Sequence, residues 1–359
     1  MNDVVQAKKT VKAALVALPE TAPAGLYSLL EVFSSVGTVW EELTGKHAGE
    51  VRMHVDVVTE RAGLQFCGLG VPVQSDATFA TASGYDFVMV PDVHVSQGTD
   101  PRGQWPAAVV WIRSQYASGS IIASACTGAL LLAETGLLDG FEATTHWGVV
   151  PLFEALYPQV RLCPEKVLAL AGPQQRIVTA GGASSWVELA LFLIAFYCGR
   201  QEAVRIAKVY LLGDRNEGQL PFAVLTRPRG HSDTVIQTCQ QWIAEHFEVV
   251  NPVERLTAYS GLNPRTFKRR FHAATGFSPL EYIQILRIEE AKYLLENGDM
   301  PTDQVGEEIG YEDPASFRRL FKRLAGVTPA RYRRRFQAIG RMPASETLGQ
   351  FRGRQPAEG

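Results

Sequence analysis

Residues 120–129 read SIIASACTGA, and this stretch decides the fold of the first part of the chain. Ser120–Ala125 is a short run of small and β-branched residues, which predicts a buried strand. Cys126 follows it at once, and a leucine-rich helix is expected to begin at about Thr127. A strand that runs directly into a helix is the building unit of a parallel sheet.

The same alternation of strand and helix extends over the first two thirds of the chain. It indicates an α/β sandwich built on a parallel sheet. Ligands bind such sheets beyond the carboxyl ends of the strands, so we expect the chemistry there. The predicted strands are Ala13–Leu18, Met53–Val58, Phe87–Val90, Ser120–Ala125 and Arg176–Thr179, and the predicted helices are Ala24–Val36, Trp105–Ser118, Thr127–Thr135, Val149–Leu156 and Ser185–Tyr197.

The last third of the chain has a different pattern and contains an internal repeat. From about Ser232 the β-branched runs end, and helices follow one another at short intervals. Residues 263–271, NPRTFKRRF, match residues 313–321, DPASFRRLF, at an offset of 50. Two copies of one helical unit are therefore present in an all-α domain. The match continues with Gly276 and Gly326, Ser278 and Thr328, Pro279 and Pro329, and Tyr282 and Tyr332.

Each copy has the pattern of a helix-turn-helix. In the first copy a short helix is predicted over Pro252–Tyr259, Gly261 supplies the turn, and Asn263 caps a second helix. Phe267 and Phe271 are four residues apart, so both face the core. The second copy repeats this arrangement with an aspartate as its cap.

Basic charge is concentrated on the second helix of each copy. Residues 265–270 hold four basic and no acidic side chains, and residues 318–335 hold eight and none. The whole chain, by contrast, has 35 basic and 37 acidic residues, which predicts no general affinity for nucleic acid. A solvated helix face usually mixes signs, whereas phosphate neutralisation requires charge of one sign. DNA binding is therefore favoured over a merely solvated surface, with the two helices in successive major grooves.

These residues resemble the AraC/XylS family of transcriptional regulators over roughly Thr234–Phe336. The resemblance implies a double helix-turn-helix that binds operator DNA. It is carried by Gly310, Tyr311, Phe317, Phe321, Lys322, Gly326, Val327, Thr328, Pro329, Tyr332 and Arg333. The DNA-contact candidates, from the resemblance and from their place on the outward helix faces, are Arg265, Thr266, Lys268, Arg269, Ser316, Arg318, Arg319 and Lys322.

Cys126 is the candidate for chemistry in the first part of the chain. A cysteine at a strand-to-helix turn lies at a helix N-terminus, which favours the thiolate and predicts a lowered pKa. His146 lies 20 residues further on and is a candidate partner base. The alternatives are a buried structural cysteine and a hydrogen-bonded structural histidine. Gly181 and Gly182 precede another predicted helix, where backbone amides can bind a polar or anionic ligand.

The first part of the chain looks like the ThiJ/PfpI branch of the class I glutamine amidotransferase-like superfamily. The resemblance covers about Val11–Gly199 and rests on residues 123–129, 136–140 and 143–147. It implies a flavodoxin-like α/β sandwich with Cys126 at a nucleophile elbow. Fusion to an AraC-type module resembles the GlxA-like regulators, whose N-terminal domain is generally a sensor and dimerisation domain. Some members of that group respond to amines, amino acids or betaine-type metabolites.

One departure from the catalytic members bears on mechanism. Their acidic residue in the first helix region falls on Gly25 here, and the nearest carboxylate along the chain, Glu20, lies five residues earlier. The acid that assists the cysteine is therefore missing from that position. We expect a degenerate catalytic pocket that binds a ligand, with Cys126 and His146 as vestiges of catalysis. The ligand-binding candidates are Cys126, Thr127, Gly128, His146, Gly181 and Gly182.

Five widely spaced cysteines without a Cys-x-x-Cys pair predict reduced thiols, no zinc or other metal site and no cofactor. No apolar run reaches the ~18 residues of a membrane span, so a cytoplasmic protein is expected. The predicted layout is a sensing and dimerisation domain over residues 11–212, a linker over 213–231, a DNA-binding domain over 232–337 and a disordered tail over 338–359.

The sequence therefore predicts a DNA-binding transcriptional regulator, with activation favoured over repression, that senses a small metabolite. Its expected partners are double-stranded operator DNA, the small-molecule effector, a second copy in a homodimer and RNA polymerase. One alternative is an enzyme, a cysteine-dependent hydrolase, hydratase or amidotransferase. Another is a redox sensor in which Cys126 oxidises to a sulfenic acid.

Overall fold

The computed structural model describes residues 10–45, 47, 50–96, 99–212, 220–223, 225 and 231–337. The chain divides into two compact units, Met1–Leu220 and Pro221–Gly359. The predicted tail, residues 338–359, and most of the predicted linker lie outside the described residues. Ala223, a described residue of that linker, accepts a hydrogen bond of 2.7 Å from Lys292 Nζ within the second unit.

The first unit is built from eleven strands and seven helices within the described residues. Its strands are β1 (Thr10–Val16), β2 (Arg52–Thr59), β3 (Gly63–Cys67), β4 (Val71–Ser75), β5 (Ala77–Thr78), β6 (Phe87–Val90), β7 (Ile121–Ala125), β8 (Glu142–Ala143), β9 (Arg161–Leu162), β10 (Leu168–Ala171) and β11 (Ile177–Ala180). Its helices are α1 (Pro23–Ser34), α2 (Val39–Thr44), α3 (Pro106–Ala117), α4 (Gly128–Glu134), α5 (Val150–Leu156), α6 (Trp186–Cys198) and α7 (Arg200–Val209).

Seven of these strands form the main sheet, in the order β10-β11-β7-β6-β1-β2-β5. The five predicted strands and five predicted helices are all present, with ends within about three residues of the predicted ones. The predicted parallel sheet is confirmed, with one antiparallel edge strand, because β10 runs antiparallel to β11. Only residues 172–176 connect these two strands, whereas a parallel crossover needs a dozen or more residues.

The main sheet is buried on both faces, as expected for parallel strands. Along β1, Val11, Ala13 and Leu15 pack into one apolar core, and Ala14 and Val16 pack into a second core on the opposite face. Helices cover both cores, which leaves the strand ends as the place where polar groups of the sheet are accessible. None of the described helices has the length and hydropathy needed to span a bilayer.

The second unit is all-α and confirms the repeat in three dimensions. Its helices are α8 (Thr234–Glu245), α9 (Pro252–Tyr259), α10 (Pro264–Thr275), α11 (Pro279–Asn297), α12 (Thr302–Glu308), α13 (Pro314–Ala325) and α14 (Pro329–Gln337). The same ring contacts recur in both copies. Phe271 meets Tyr282 edge to face at 5.4 Å between ring centroids, and Phe321 meets Tyr332 in the same way at 5.4 Å. Equivalent aromatic side chains therefore hold the two copies in one geometry.

The predicted capping residues are confirmed. The Asn263 side chain accepts a hydrogen bond of 2.9 Å from the Thr266 amide at the start of α10. The Asp313 carboxylate accepts two of 3.0 Å, from the Ala315 and Ser316 amides at the start of α13. Both caps satisfy amides that the first helical turn leaves unpaired, so each helix begins where the sequence indicates.

One buried cation joins the two copies. Arg287 lies on α11, is 8% exposed, and donates to the carbonyls of Phe247 (2.7 Å), Val249 (3.1 Å) and Gly310 (3.0 Å). The first two carbonyls lie between α8 and α9, and the third lies between α12 and α13. One guanidinium thus ties the loop between α8 and α9 to the loop before α13.

Gly310 is required at this junction. Its φ is +86°, and a Cβ at that position would lie 2.2 Å from the Glu248 carbonyl oxygen and 2.8 Å from Arg287 Nη2. A side chain would therefore both strain the backbone and displace the guanidinium. Sequence reading identified Gly310 only as a motif residue, because the close approach comes from residues far along the chain.

We predict that Gly310→Ala lowers the free energy of unfolding of the second unit by about 3 kcal/mol or more, as backbone strain and overpacking add. Gly261→Ala is the matched control, because Gly261 has φ +65° and a Cβ added there would meet no atom within 4 Å. It should cost only about 1–2 kcal/mol. Urea unfolding of both variants measures the difference, and equal losses would contradict the role of the close approach.

Candidate ligand pocket and DNA-binding surface

Cys126 lies at the turn between β7 and α4, as predicted. Its φ of +55° is in the left-handed region, which non-glycine residues adopt rarely and mostly where surrounding contacts enforce it. Its amide donates to the Ala180 carbonyl at 2.9 Å, and its carbonyl accepts from the Thr145 hydroxyl at 2.9 Å. Gly128 permits the turn, because a Cβ there would lie 2.4 Å from the Pro91 carbonyl oxygen.

The prediction of a lowered pKa at Cys126 is wrong. The side chain is 5% exposed, and burial together with the nearby Asp92 carboxylate raises the pKa of the thiol to about 12. Hydrogen bonds with Thr127 lower the pKa, but by less. Loss of hydration disfavours the thiolate more strongly than the start of a seven-residue helix favours it. The thiol is therefore protonated at neutral pH.

Asp92 is the acidic residue next to Cys126, and sequence reading missed it. It follows β6 at the carboxyl edge of the sheet, and its own burial raises its pKa. A Cβ on Gly25 would lie 2.4 Å from Asp92 Oδ1. The carboxylate thus occupies the space that a side chain at position 25 would need. Position 25 has no acidic side chain, as expected. Asp92, which follows β6, places a carboxylate in the same space instead.

Glu20 does not supply the carboxylate of this site. Its side chain accepts a hydrogen bond of 3.2 Å from the indole of Trp105. Both residues line a small cavity of about 120 Å³ together with Leu18 and Glu60. The electrostatic partner of the Cys126 thiol is Asp92. The signal for Asp92 in the sequence was its position two residues after the end of a predicted strand, where α/β sheets present their functional groups.

The Thr127 hydroxyl forms hydrogen bonds with the backbone of the segment after β6. It donates to the Val93 carbonyl at 2.6 Å and accepts from the Val93 amide at 3.0 Å. Val93 also forms an antiparallel bridge with Thr21, whose carbonyl accepts a hydrogen bond of 2.8 Å from Gly68. Thr127 therefore holds the start of α4 against the segment after β6.

The other predicted pocket residues already take part in hydrogen bonds that involve the backbone. His146 Nδ1 accepts a hydrogen bond of 2.9 Å from the Gly148 amide, so the histidine caps a single helical turn. Its neighbour Thr145 is the residue that contacts the Cys126 carbonyl. The Gly181 amide donates to Val167 at 2.9 Å, and the Gly182 carbonyl accepts from Ser185 at 2.9 Å. The Gly181 amide is thus already in use.

In the first copy of the repeat, the outward face of α10 is basic. Arg265, Lys268 and Arg269 are exposed, and Thr266 is partly exposed. Arg270 instead forms two hydrogen bonds of 2.7 and 2.9 Å with the Asp233 carboxylate, and this holds the pKa of Asp233 below its usual range. Arg270 therefore anchors α10 to the cap of α8, and three basic side chains remain on the exposed face.

In the second copy, the exposed cations on α13 lie beside carboxylates of their own unit. Arg318 contacts both oxygens of Asp303 at 2.5 Å. Arg319 donates to the Ser316 hydroxyl at 2.9 Å, and that hydroxyl donates to Asp313 at 2.6 Å. Exposed ion pairs contribute little to stability, so a phosphate group can displace Asp303 at low cost. Lys322 is exposed on the same helix.

Two family descriptions match the chain. The DJ-1/PfpI family matches residues 25–195, and a helix-turn-helix domain matches residues 256–335. The chain is 30% identical over 291 residues to the HTH-type transcriptional regulator CdhR of Pseudomonas aeruginosa, covering 80% of this chain and 83% of CdhR. It is 28% identical over 251 residues to the HTH-type transcriptional regulator GlxA of Rhizobium meliloti, covering 68% and 75%.

A third relative matches a smaller share of the chain. Over 136 residues the chain is 31% identical to an isonitrile hydratase of Pseudomonas putida, which covers 38% of this chain and 53% of that enzyme. The matches to CdhR and GlxA are longer and cover most of both proteins. The chain belongs to the family of HTH-type transcriptional regulators that includes CdhR, in which a DJ-1/PfpI domain precedes an AraC-type helix-turn-helix domain.

Proposed function

We propose that this regulator binds a small metabolite near Cys126 and Asp92 and binds operator DNA through α10 and α13. The observation that carries the DNA-binding part is the repeated, capped helix with a basic outward face and a phenylalanine pair on its inward face. We assign the sensing role to residues 11–212 and the DNA-binding role to residues 232–337. Activation is proposed over repression on family resemblance alone.

The spacing between the two copies favours binding of both recognition helices to one duplex. α11 has 19 residues and separates α10 from α12, which corresponds to roughly 28 Å of helix. Successive major grooves on one side of a duplex lie about 34 Å apart. Arg287 of α11 also ties the loop between α8 and α9 to the loop before α13, so the two copies of the repeat are joined through this helix.

We predict that Arg319→Ala weakens operator binding by about 1–3 kcal/mol if its guanidinium contacts a base. The measurement is a salt-matched titration with DNA upstream of the protein's own gene. Arg113→Ala is the matched control, because Arg113 is an exposed arginine on α3 in the first unit. Unchanged affinity in Arg319→Ala, or an equal loss in the control, would contradict this assignment.

The charges around Cys126 and Asp92 favour a ligand with a cationic group. Asp92 supplies a partly buried carboxylate, and the Cys126 thiol beside it is neutral at physiological pH. Burial removes water from the Asp92 carboxylate, and a cationic group placed beside it compensates for that loss. Amines, amino acids and betaines, the compounds that the resemblance to GlxA-like regulators implies, all carry such a group. We propose that the effector belongs to this class.

We predict that Asp92→Asn raises the effector concentration needed for half-maximal change in DNA affinity by about tenfold or more, since it removes a charge-assisted contact. DNA affinity is measured at fixed salt with and without a panel of amines, amino acids and betaines. Glu20→Gln is the control, because Glu20 is bonded to Trp105 and should leave the response intact. A full response in Asp92→Asn would place the effector elsewhere.

The competing functions are an enzyme and a redox sensor. The isonitrile hydratase relative supports the first, and both need a reactive Cys126 thiolate. The raised pKa of Cys126 argues against both, because very little thiolate exists near neutral pH. Turnover of a substrate that Cys126→Ser abolishes, or oxidation of Cys126 by mild peroxide, would favour these alternatives over a ligand-binding site.

We predict that alkylation of Cys126 by iodoacetamide rises about tenfold per pH unit from pH 8 to pH 10 without reaching a plateau, because the pKa lies at about 12. Peptide mass spectrometry gives the rate at each pH. A free cysteine levels off above its pKa of about 8.5 and serves as the control. The Asp92→Asn variant should level off at lower pH than the wild type, and a plateau below pH 9 in the wild type would contradict the burial argument.

Two further partners and a location belong to this proposal. We propose a homodimer, because operators often repeat and domains of this family commonly pair. RNA polymerase is the expected partner of an activator. A protein that binds the chromosome must share its compartment, so the proposed location is the cytoplasm. Sedimentation of the full chain, alone and with operator DNA, tests the first of these.

A further inference from the structure

A cavity of about 400 Å³ lies in the first unit at the amino ends of β7 and β11. Ile121, the first residue of β7, lines it, and so does Arg176, which comes directly before β11. Cys126 lies at the other end of β7, about 16 Å of strand away. Small-molecule sites usually have volumes of roughly 300–1,000 Å³. The cavity is therefore separate from the site near Cys126 and is large enough to hold a ligand.

Three aromatic side chains of α6 line this cavity. Phe192 and Phe196 stack with 6.3 Å between ring centroids, and Phe196 meets Tyr197 edge to face at 4.9 Å. The Tyr197 hydroxyl donates to the Asp86 carbonyl at 2.8 Å, which fixes that ring. Phe196 is nevertheless 62% exposed, and Leu170 of β10, which also lines the cavity, is 38% exposed. Apolar surface is thus available to the body of a ligand.

Arg176 supplies a positive charge without a counter-ion. Its Nη1 donates to the Tyr116 carbonyl at 2.9 Å, and its guanidinium carbon lies 4.3 Å from the Tyr116 ring centroid. Within the described residues, Nε and Nη2 form no hydrogen bond and no carboxylate pairs with this side chain. The Asp86 carboxylate accepts from the Lys12 amide at 2.8 Å and does not line the cavity. A half-buried cation of this kind favours an anion beside it.

The loop between β10 and β11 adds two amide side chains. Gln174 and Gln175 have φ of +58° and +55°, in the left-handed region that non-glycine residues rarely adopt. Both line the cavity and are exposed, and their side chains form no hydrogen bond within the described residues. Strained backbone of this kind is concentrated at functional sites such as ligand clamps. The glutamine side chains are therefore available as further donors to a ligand.

We propose that this cavity binds a small monocarboxylate with an aromatic or aliphatic body. The carboxylate is recognised by the Arg176 guanidinium, whose planar geometry matches it, and by the amides of Gln174 and Gln175. The body of the ligand packs against Phe192 and Phe196. The cavity is a second ligand site of the regulator.

The charge of the lining determines this ligand class. The lining contains one cation, two amides and apolar side chains, and it contains no acidic residue. A cationic ligand would be repelled by Arg176, and a neutral one would leave the guanidinium without a counter-ion. The preference is opposite to the one proposed for Asp92. The inference therefore stands or falls independently of the effector site near Cys126.

Calorimetric titration of the full chain tests the ligand class, with 2-naphthoate as the probe. We expect 2-naphthoate to bind at least about tenfold more tightly than the neutral 2-naphthamide, because the amide lacks the charge that pairs with Arg176. The cation 2-naphthylmethylamine should bind more weakly still. Absence of 2-naphthoate binding up to millimolar concentration, or tighter binding of the amine, would overturn the proposal.

Charge substitutions at Phe196 test the location. Phe196→Glu and Phe196→Lys both remove an exposed ring and differ only in the sign of the new charge. The glutamate variant should bind 2-naphthoate about tenfold more weakly than the lysine variant. Leu43→Glu is the control, because Leu43 is 67% exposed on α2 and does not line the cavity. Equal affinities in the two Phe196 variants, or an equal loss in Leu43→Glu, would overturn the assignment.

Two further variants separate this cavity from the other proposed sites. Asp92→Asn and Arg319→Ala should both keep the wild-type affinity for 2-naphthoate. A loss in either variant would place the probe at the effector site or on the DNA-binding surface and overturn the inference. Arg176→Gln should weaken binding by about tenfold. Circular dichroism checks that it is folded, since Nη1 also bonds the Tyr116 carbonyl, and full binding in a folded Arg176→Gln would contradict the role of the charge.

Discussion

The DNA-binding unit depends on one buried guanidinium. Arg287 satisfies carbonyls from the first copy of the repeat and a carbonyl from the second, so a single side chain of α11 determines where both loops lie. A buried cation of this kind is tolerated because its donors are directed at backbone acceptors. Its contact with Tyr311, 5.0 Å from the ring centroid, adds a cation–π interaction. The guanidinium thereby links the loop between α8 and α9 to the loop before α13.

The first unit is governed by a different constraint, the loss of water around Cys126. The turn has the strained backbone of a nucleophile elbow, yet burial and Asp92 keep the thiol protonated. An enzyme needs the opposite electrostatics at this position. The same geometry supports our proposal of a pocket in which Asp92 recognises a ligand and the thiol only lines the wall. Thr127 and Val93 connect that pocket to the base of the β3–β4 hairpin.

Local patterns predicted much of this structure. The five main strands, the helices between them, the 50-residue repeat and the caps Asn263 and Asp313 all follow from periodicity and from hydrogen-bonding chemistry within a few residues. The antiparallel strand β10, LALA, was missed because it lacks β-branched residues. The β3–β4 hairpin was missed as well. Its apolar residues alternate over only five positions, and its turn is built from glycines around Leu69.

By itself, the sequence determined the two-domain plan, the helix-turn-helix repeat and the position of Cys126 at a strand-to-helix turn, since each depends on residues close together in the chain. Only the tertiary structure decided the pKa of that thiol, the approach of Asp92 to the space beside Gly25 and the junction at Arg287. It also decided that Arg270 pairs with Asp233 instead of facing outward. These features depend on burial and on contacts between distant segments, and a pattern along the chain carries no information about which distant groups exclude water from one another.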